Sequence, residues 1–322
     1  MTRALLAIVA LLLAGCASGP QLSFAIIGDM GYRASEEPQV ENVLRELNAA
    51  PLAFVAHVGD LGSPLAGSCS DELLAKRLAQ FRASAHPLVY TPGDNEWTDC
   101  HDGQGVKGGN PLERLAVVRA MFFKEEQSLG QRKLPLIRQG GAYRENARWE
   151  AGGVTFLTLH VVGSNNGLGR TPAGDEEWAR RRDAVLAWLR TGFESARAAG
   201  ARGVMVILHA NMYPELPPFP GEGPKQPSGF AEVRAALESE TRAFGRPVVL
   251  VHGDSHYFRV DKPLLVRRGG GVPVANFTRA ESFGSPFIHW VHVSIDAGNP
   301  EVFTFRPRIV ASNLRAGGAK SE

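Results

Sequence analysis

Four times in this chain an apolar run ends in Gly-Asp. Phe24 to Ile27 closes with Gly28-Asp29, Val55 to Val58 with Gly59-Asp60, Leu88 to Pro92 with Gly93-Asp94, and Val249 to His252 with Gly253-Asp254. A fifth run, Val206 to Leu208, closes with His209. Short apolar runs bounded by glycine read as buried strands. Helical spacing between them (Val40, Val43, Leu44, Leu47, then Leu73, Leu74, Leu78, Phe81) makes the first hundred residues a parallel α/β sheet. The carboxyl ends of parallel strands lie along one edge, so the acids and His209 converge in a single crevice, where such folds bind ligands. Gly-Asp alone is only a turn or cap signal, as Gly174-Asp175 shows by opening a helix. Four at strand ends is a stronger constraint.

The rest of the chain continues the α/β pattern. Asn110-Pro111 starts a helix as N-cap and first residue. Ala147 to Val162, broken at Gly152-Gly153, reads as a hairpin. Asp175 to Ala199 reads as one amphipathic helix with its Arg and Glu residues on a solvated face. Gly203 to Leu208 is a strand, Pro214 to Pro227 a long Pro-rich loop, Ala231 to Phe244 a helix and Pro247 to Val251 a strand. A final antiparallel group takes Val272 to Asn276, Phe287 to Ile295 and Glu301 to Phe305. No repeat or linker divides the chain, which predicts one domain over 22–310 and a polar tail at 311–322. Of 322 residues 44% are hydrophobic, and 35 Lys+Arg against 33 Asp+Glu leave a net charge of +2. That composition is globular, and without a clustered basic excess it gives no ground for a nucleic-acid partner. No run reaches the ~20 apolar residues of a membrane-spanning helix.

Arg3, the apolar stretch Ala4 to Ala14 and the small residues before Cys16 follow the order of a secretory signal peptide. Leu13-Ala14-Gly15-Cys16 resembles a bacterial lipobox. The resemblance implies removal of residues 1–15, lipidation of Cys16 and, with Ala17 rather than Asp next, a periplasmic protein anchored to the outer membrane through a tether at 16–21. A plain signal peptide cut near Ala17 is the alternative. With Cys16 taken, Cys69 and Cys100 are an even pair in an oxidising compartment and are expected to bridge, two free buried thiols being the alternative. Such a bridge closes a loop of about 30 residues, worth roughly 3 to 4 kcal/mol on the chain-entropy model.

Carboxylates a few Å apart force one another to stay protonated unless cations compensate. Asp29, Asp60, Asp94 and Asp254 supply four negative charges that two divalent ions would balance, and His209 and His256 add nitrogen ligands. The Gly before each Asp is expected to let the backbone come close and take the strained turn that aims the carboxylate.

This order resembles the calcineurin-like metallophosphoesterase family, with blocks Gly-Asp-x-His (Gly-Asp-x-Gly in the purple acid phosphatase branch), Gly-Asp-x-x, Gly-Asn-His-Glu, a lone His and Gly-His-x-His. Here they stand as Gly28-Asp29-Met30-Gly31, Gly59-Asp60-Leu61-Gly62, Gly93-Asp94-Asn95-Glu96, His209 and Gly253-Asp254-Ser255-His256. The resemblance spans Leu22 to Phe305. It implies a four-layer α-β-β-α sandwich with mixed sheets and a two-metal site. Asp60 would bridge, Asp29 and His256 would bind the first ion, and Asp94, His209 and Asp254 the second. It also implies hydrolysis of a small-molecule phosphoester by a bridging hydroxide attacking phosphorus in line.

Departures from the pattern shape what is expected. Gly31 stands where most relatives have a His ligand, and Ser63 where the purple acid branch has a Tyr. Asp94 for Asn and Asp254 for His make the site harder, favouring Mg, Mn, Fe or Ca over Zn; His252 could substitute for Asp254 if the turn shifts. Asn95 replaces the His that would protonate the leaving group or hold phosphate, and amides are not general acids. His101 is then the replacement acid to test, and Arg170 and Arg279 are candidates to clamp phosphate beside Asn95. His160 lies within reach of the crevice, whereas His57, at an odd offset from Asp60, faces away. Two other readings compete. One is a lipoprotein of this fold that binds metal and a ligand or partner without turnover. The other is a GDSL-type esterase through Gly253-Asp254-Ser255, which sits too late in the chain and lacks the partner Asp-x-x-His block.

Overall fold

The computed structural model describes residues 22–213, 227–266, 271–296 and 298–315. The signal peptide, Cys16, the 16–21 tether, most of the Pro-rich loop and residues 316–322 lie outside the described residues. Strands β1 (Leu22–Ile27), β2 (Val55–His57) and β3 (Leu88–Tyr90) run parallel, joined through α1 (Glu37–Ala49) and α2 (Asp71–Arg82). Helix α3 (Pro111–Phe122) starts as expected, with the Asn110 side chain accepting from the amides of Leu112 and Glu113. Then come β4 (Ile137–Arg138), the hairpin β5 (Ala147–Ala151) and β6 (Val154–Thr158), the one-turn α4 (Gly163–Asn166) and α5 (Pro172–Ala198). The chain continues through β7 (Gly203–Ile207), α6 (Ala231–Phe244), β8 (Val248–His252) and β9 (Arg259–Asp261). A short ribbon of β10 (Leu265–Val266) and β11 (Val272–Pro273) precedes β12 (Phe277–Glu281), β13 (Trp290–Ile295), β14 (Phe303–Arg308) and α7 (Ala311–Arg315).

Two mixed sheets result, ordered β14-β13-β1-β2-β3 and β4-β5-β6-β7-β8-β12-β9. Both faces of each central strand are apolar, and alternation sends them to different layers. In β1, Phe24 and Ile26 meet Met205, Ile207, Val249 and Val251 of the other sheet, while Ala25 and Ile27 face Val43, Leu47 and Leu74 of α1 and α2. Val204, Val206, Val248 and Leu250 take the opposite face of β7 and β8 and pack on Val185, Leu189 and Phe193 of α5 and Leu237 of α6. The chain is thus a four-layer helix–sheet–sheet–helix sandwich, the fold class expected.

Three details differ from the sequence reading. Strand β12 lies at Phe277–Glu281 and pairs parallel with β8, whereas Val272 to Asn276 supplies only the two-residue β11. Its buried Arg279 and Glu281 are ion-paired to Asp261 and Arg259, so its polar composition hid a buried strand. Residues 311–315 are not tail: Asn313 of α7 donates to Ile288 O at 2.6 Å and accepts from Asn42 at 2.9 Å. On α5, Glu177 and Arg181 are buried rather than solvated.

Candidate metal centre

The strand ends that carry the Gly-Asp blocks meet where the two sheets face each other. An added Cβ at Gly93 would lie 2.0 Å from Asp60 Oδ1, and one at Gly253 would lie 2.1 Å from Asp29 Oδ2. Those glycines serve close approach. Of the glycines before the acids only Gly59, at φ 102°, takes the expected turn; the strain otherwise falls on the ligand candidates themselves: Asp29, Asp60, Asp254 and His256 have φ of 53°, 56°, 74° and 65°. A left-handed backbone costs an L-residue about 1 kcal/mol or more, least for Asp and Asn, and such outliers persist where surroundings over-determine them.

Two groups of three ligand atoms form, each with its atoms within 4.8 Å of one another: Asp29, Asp60 and His256, and Asp60, Asp94 and His209. Asp60 is common to both. His209 Nδ1 bonds Val58 O at 2.8 Å and His256 Nδ1 bonds Ser285 O at 2.7 Å, so each ring turns Nε2 toward the acids. His209 Nε2 is 2.8 Å from Asp94 Oδ1 and 3.4 Å from Asp60 Oδ1; His256 Nε2 is 3.6 Å from Asp29 Oδ1. Asp254 stands at the rim, outside both groups, with Oδ1 3.8 Å from His209 Nε2 and Oδ2 accepting from the Asn211 amide at 2.8 Å. His252 is fully buried with Nδ1 on Gly253 O at 2.7 Å, and it joins neither group.

The electrostatics fit cations. Burial pushes Asp29 and Asp60 well above the usual carboxylate range, the neighbouring acids adding to it against the opposing charge of His209. His209 is itself pushed well above its usual value, because Asp60, Asp94 and Asp29 outweigh its burial. Of the four acids Asp94 alone is lowered: burial would raise it, but the hydrogen bond and charge of His209, with Ser164, prevail. Among the described residues the buried Asp29 Oδ2 finds no hydrogen-bond partner. An orphaned carboxylate oxygen beside crowded acids, with two imidazoles oriented by backbone carbonyls, is a donor set suited to oxygen-preferring divalent ions.

Two residues of this centre escaped the sequence reading. The Tyr32 hydroxyl donates to Asp60 Oδ2 and lies 3.2 Å from His256 Nε2, filling the space on the first group's side. Ser63, where the family resemblance would put a tyrosine, instead donates to Tyr32 O at 3.2 Å. Gly31 has φ 76° and its Cβ would sit 2.1 Å from the Arg77 guanidinium, so a ligand side chain there has no room. The second is Glu96, fully buried, whose carboxylate takes the amides of Leu61 and Gly93 and so ties two Asp loops together. An aromatic hydroxyl within three residues of a Gly-Asp block was the available signal for Tyr32.

The remaining candidates are engaged elsewhere. Asn95 turns its amide to Gly62 O at 2.9 Å, and its backbone N–H donates to Asp60 Oδ1 at 3.1 Å. Arg170 is held by Asp99 Oδ1 at 2.6 Å and by Thr98 O, which leaves the proposed phosphate clamp committed to a loop. Arg279 grips Asp261 and donates to Asn211 and Tyr213 O. His101 accepts from Gly103 N and lines a cavity of about 880 Å³ with Trp97, Thr98 and Arg170, joining neither ligand group. His160 is buried on Glu145 at 2.8 Å, and His57 packs against Phe81 and Tyr90 on the helix side, as its offset predicts. Cys69 and Cys100 are bonded to each other.

No family model and no curated protein sequence matches the chain. Solved structures with a similar arrangement include GAP50, the anchor in the inner membrane complex of Plasmodium, at 11% identity and TM-score 0.44, covering 92% of this chain and 94% of that one. A 5'-nucleotidase from Candida albicans is 11% identical with TM-score 0.45 over 89% of this chain and 50% of that one. Wild-type Vps29 complexed with zinc from Entamoeba histolytica is 11% identical with TM-score 0.33 over 90% and 99%. At such identities none of their chemistry passes to this chain.

Proposed function

We propose that this chain is a metal-dependent phosphoester hydrolase, acting on a phosphomonoester or phosphodiester. The observation that carries the reading is the pair of three-ligand groups sharing Asp60 at the strand ends. Divalent ions there, when bound, would supply Lewis acidity toward a phosphoryl oxygen and an activated water for attack on phosphorus. The protein's own part is to hold the ligands in place. Asp29, Asp60 and His256 would take one ion, and Asp60, Asp94 and His209 the other, with Asp254 closing the second from the rim. Tyr32 orients Asp60, and Glu96 fixes the Asp60 and Asp94 loops. With an oxygen-rich set, Mg, Mn, Fe or Ca suits the site better than Zn.

The test is hydrolysis of p-nitrophenyl phosphate and bis-p-nitrophenyl phosphate by the chain lacking residues 1–16, stripped of metal and resupplied with each ion. A metal-dependent rate abolished in Asp60→Ala is expected. A second reading, a fold that binds metal and a ligand without turnover, is favoured by one observation. Asn95, Arg170 and Arg279 are each bonded within the protein, and His101 joins neither group. Stoichiometric metal binding with no rate on either ester would establish that reading. We further propose export and lipid anchoring through Cys16, on the lipobox resemblance alone; Cys16→Ser is then expected to leave the protein out of the membrane fraction.

A further inference from the structure

The α4 turn is built against its backbone preference. Ser164, Asn165 and Asn166 have φ of 50°, 55° and 57°, three consecutive L-residues in the left-handed region. Each adds roughly 1 kcal/mol of strain, so the turn must be over-determined from outside. One set of restraints comes from α5. Arg181, fully buried and paired with Glu177, donates to Asn166 Oδ1 at 2.5 Å, to Asn166 O at 2.9 Å and to His160 O at 3.1 Å. The other comes from the segment before α6: Gly229 N donates to Asn165 Oδ1 at 2.8 Å, and Asn166 Nδ2 donates to Gly229 O at 3.2 Å.

What the strain achieves is proximity. A Cβ on Gly163 would fall 2.5 Å from both Asp94 Oδ2 and Asp254 Oδ1, and the next residue, Ser164, is close enough to Asp94 to help hold its carboxyl low. The turn therefore backs Asp94 at Oδ2, the oxygen that His209 does not hold, and closes on Asp254 at Oδ1. Arg181 reaches them only through Asn166 and the His160 carbonyl.

We propose that the Gly163–Asn166 turn positions the ligands of the second ion, Ser164 orienting Asp94 and Arg181 locking the turn that carries it. Ser164 and Arg181 are positioning residues. The inference rests on the reading that two ions bind here, and not on hydrolysis.

The experiment is calorimetric titration of Mn²⁺ into the metal-stripped chain lacking residues 1–16, for wild type, Ser164→Ala, Arg181→Met and the double variant, with the melting of each recorded. Wild type is expected to bind two ions. Ser164→Ala is expected to weaken one event about tenfold, as loss of a ligand's outer polar partner does, leaving the other event and the metal-free melting point unchanged. Arg181→Met should weaken the same event, and the double variant should lose no more than Arg181→Met alone, because both act through one turn. Should Arg181→Met fail to fold, Asn166→Gly carries the same expectation, since it keeps the left-handed turn without strain and removes the amide that Arg181 grips. Equal weakening of both events, unchanged affinity in Ser164→Ala, additive losses, or fewer than two ions in wild type would each overturn the inference. A wild type that binds two ions but hydrolyses no phosphoester would sink the hydrolase reading and leave the role of the turn standing.

Discussion

Asp60 is the residue both ligand groups depend on, and Tyr32 is the residue that holds it. In Tyr32→Phe the ring can keep its edge contact with His256 while Asp60 loses the donor at Oδ2 and keeps the Asn95 amide at Oδ1. The Mn²⁺ event of Asp29, Asp60 and His256 is expected to weaken most, by about tenfold to a hundredfold, the usual cost of removing an outer partner of a ligand, and the other, which shares only Asp60, to weaken less, with little change in metal-free melting. The event weakened most should differ from the one weakened in Ser164→Ala, because Tyr32 touches Asp60 and His256 and Ser164 touches Asp94. If Tyr32→Phe weakened most the event that Ser164→Ala weakens, the assignment of Asp29, Asp60 and His256 to a separate ion would be wrong.

At the scale of elements, the Cys69–Cys100 bridge joins the loop before α2 to the loop after β3. Replacing both cysteines by serine is expected to lower unfolding stability by roughly 3 kcal/mol on the chain-entropy model, read from the denaturant midpoint; an unchanged midpoint would count against the bridge. The same elements explain what could be read in advance. Strand ends were legible because an apolar run, a glycine required for close approach and an acid coincide at Asp29, Asp60, Asp94 and Asp254. The parallel strand β12 was not, because its buried Arg279 and Glu281 are neutralised by partners on a neighbouring strand that no local pattern reveals. The pairing of Arg170 with Asp99 was illegible for a related reason: Asp99 lies 71 positions earlier in the chain, and only the fold brings them together. Tyr32 was missed because its side chain, and not that of Gly31 or Ser63, is the one the first loop turns toward Asp60.

Over the whole molecule, one sheet contributes Asp29, Asp60 and Asp94 and the other His209, Asp254 and His256, so bound ions join the two layers. Without ions, protons must serve. Asp29, Asp60, Asp254 and His209 are all held above their usual values, and Glu96, raised by burial, is at about 7. Groups that bind protons more tightly folded than unfolded stabilise the fold most below their unfolded pKa, ~4 for the carboxylates, and lose that contribution as pH rises through the folded values. Glu145, depressed to about 2 by His160 and Arg119 against its burial, works the other way only on the acid side of its unfolded value, whereas His57, His160 and His252, lowered by burial to about 3, 4 and 3, work the other way up to their unfolded value of ~6.5. Above about pH 7 those opposing contributions are complete, so the metal-free chain is expected to melt at progressively lower temperature from about pH 7 to about pH 8.5, and saturating Mn²⁺ should remove the decline, because ions replace the protons and bind better as pH rises. A flat metal-free profile would contradict the crowding of these acids. The left-handed backbone at Asp29, Asp60 and Asp254 also bears on how such a site can be lost over generations. Asparagine and glycine are the replacements that erase a carboxylate without opposing the backbone. Drift away from metal chemistry would run through those two residues, and β-branched replacements would be removed for misfolding before their effect on chemistry was ever tried.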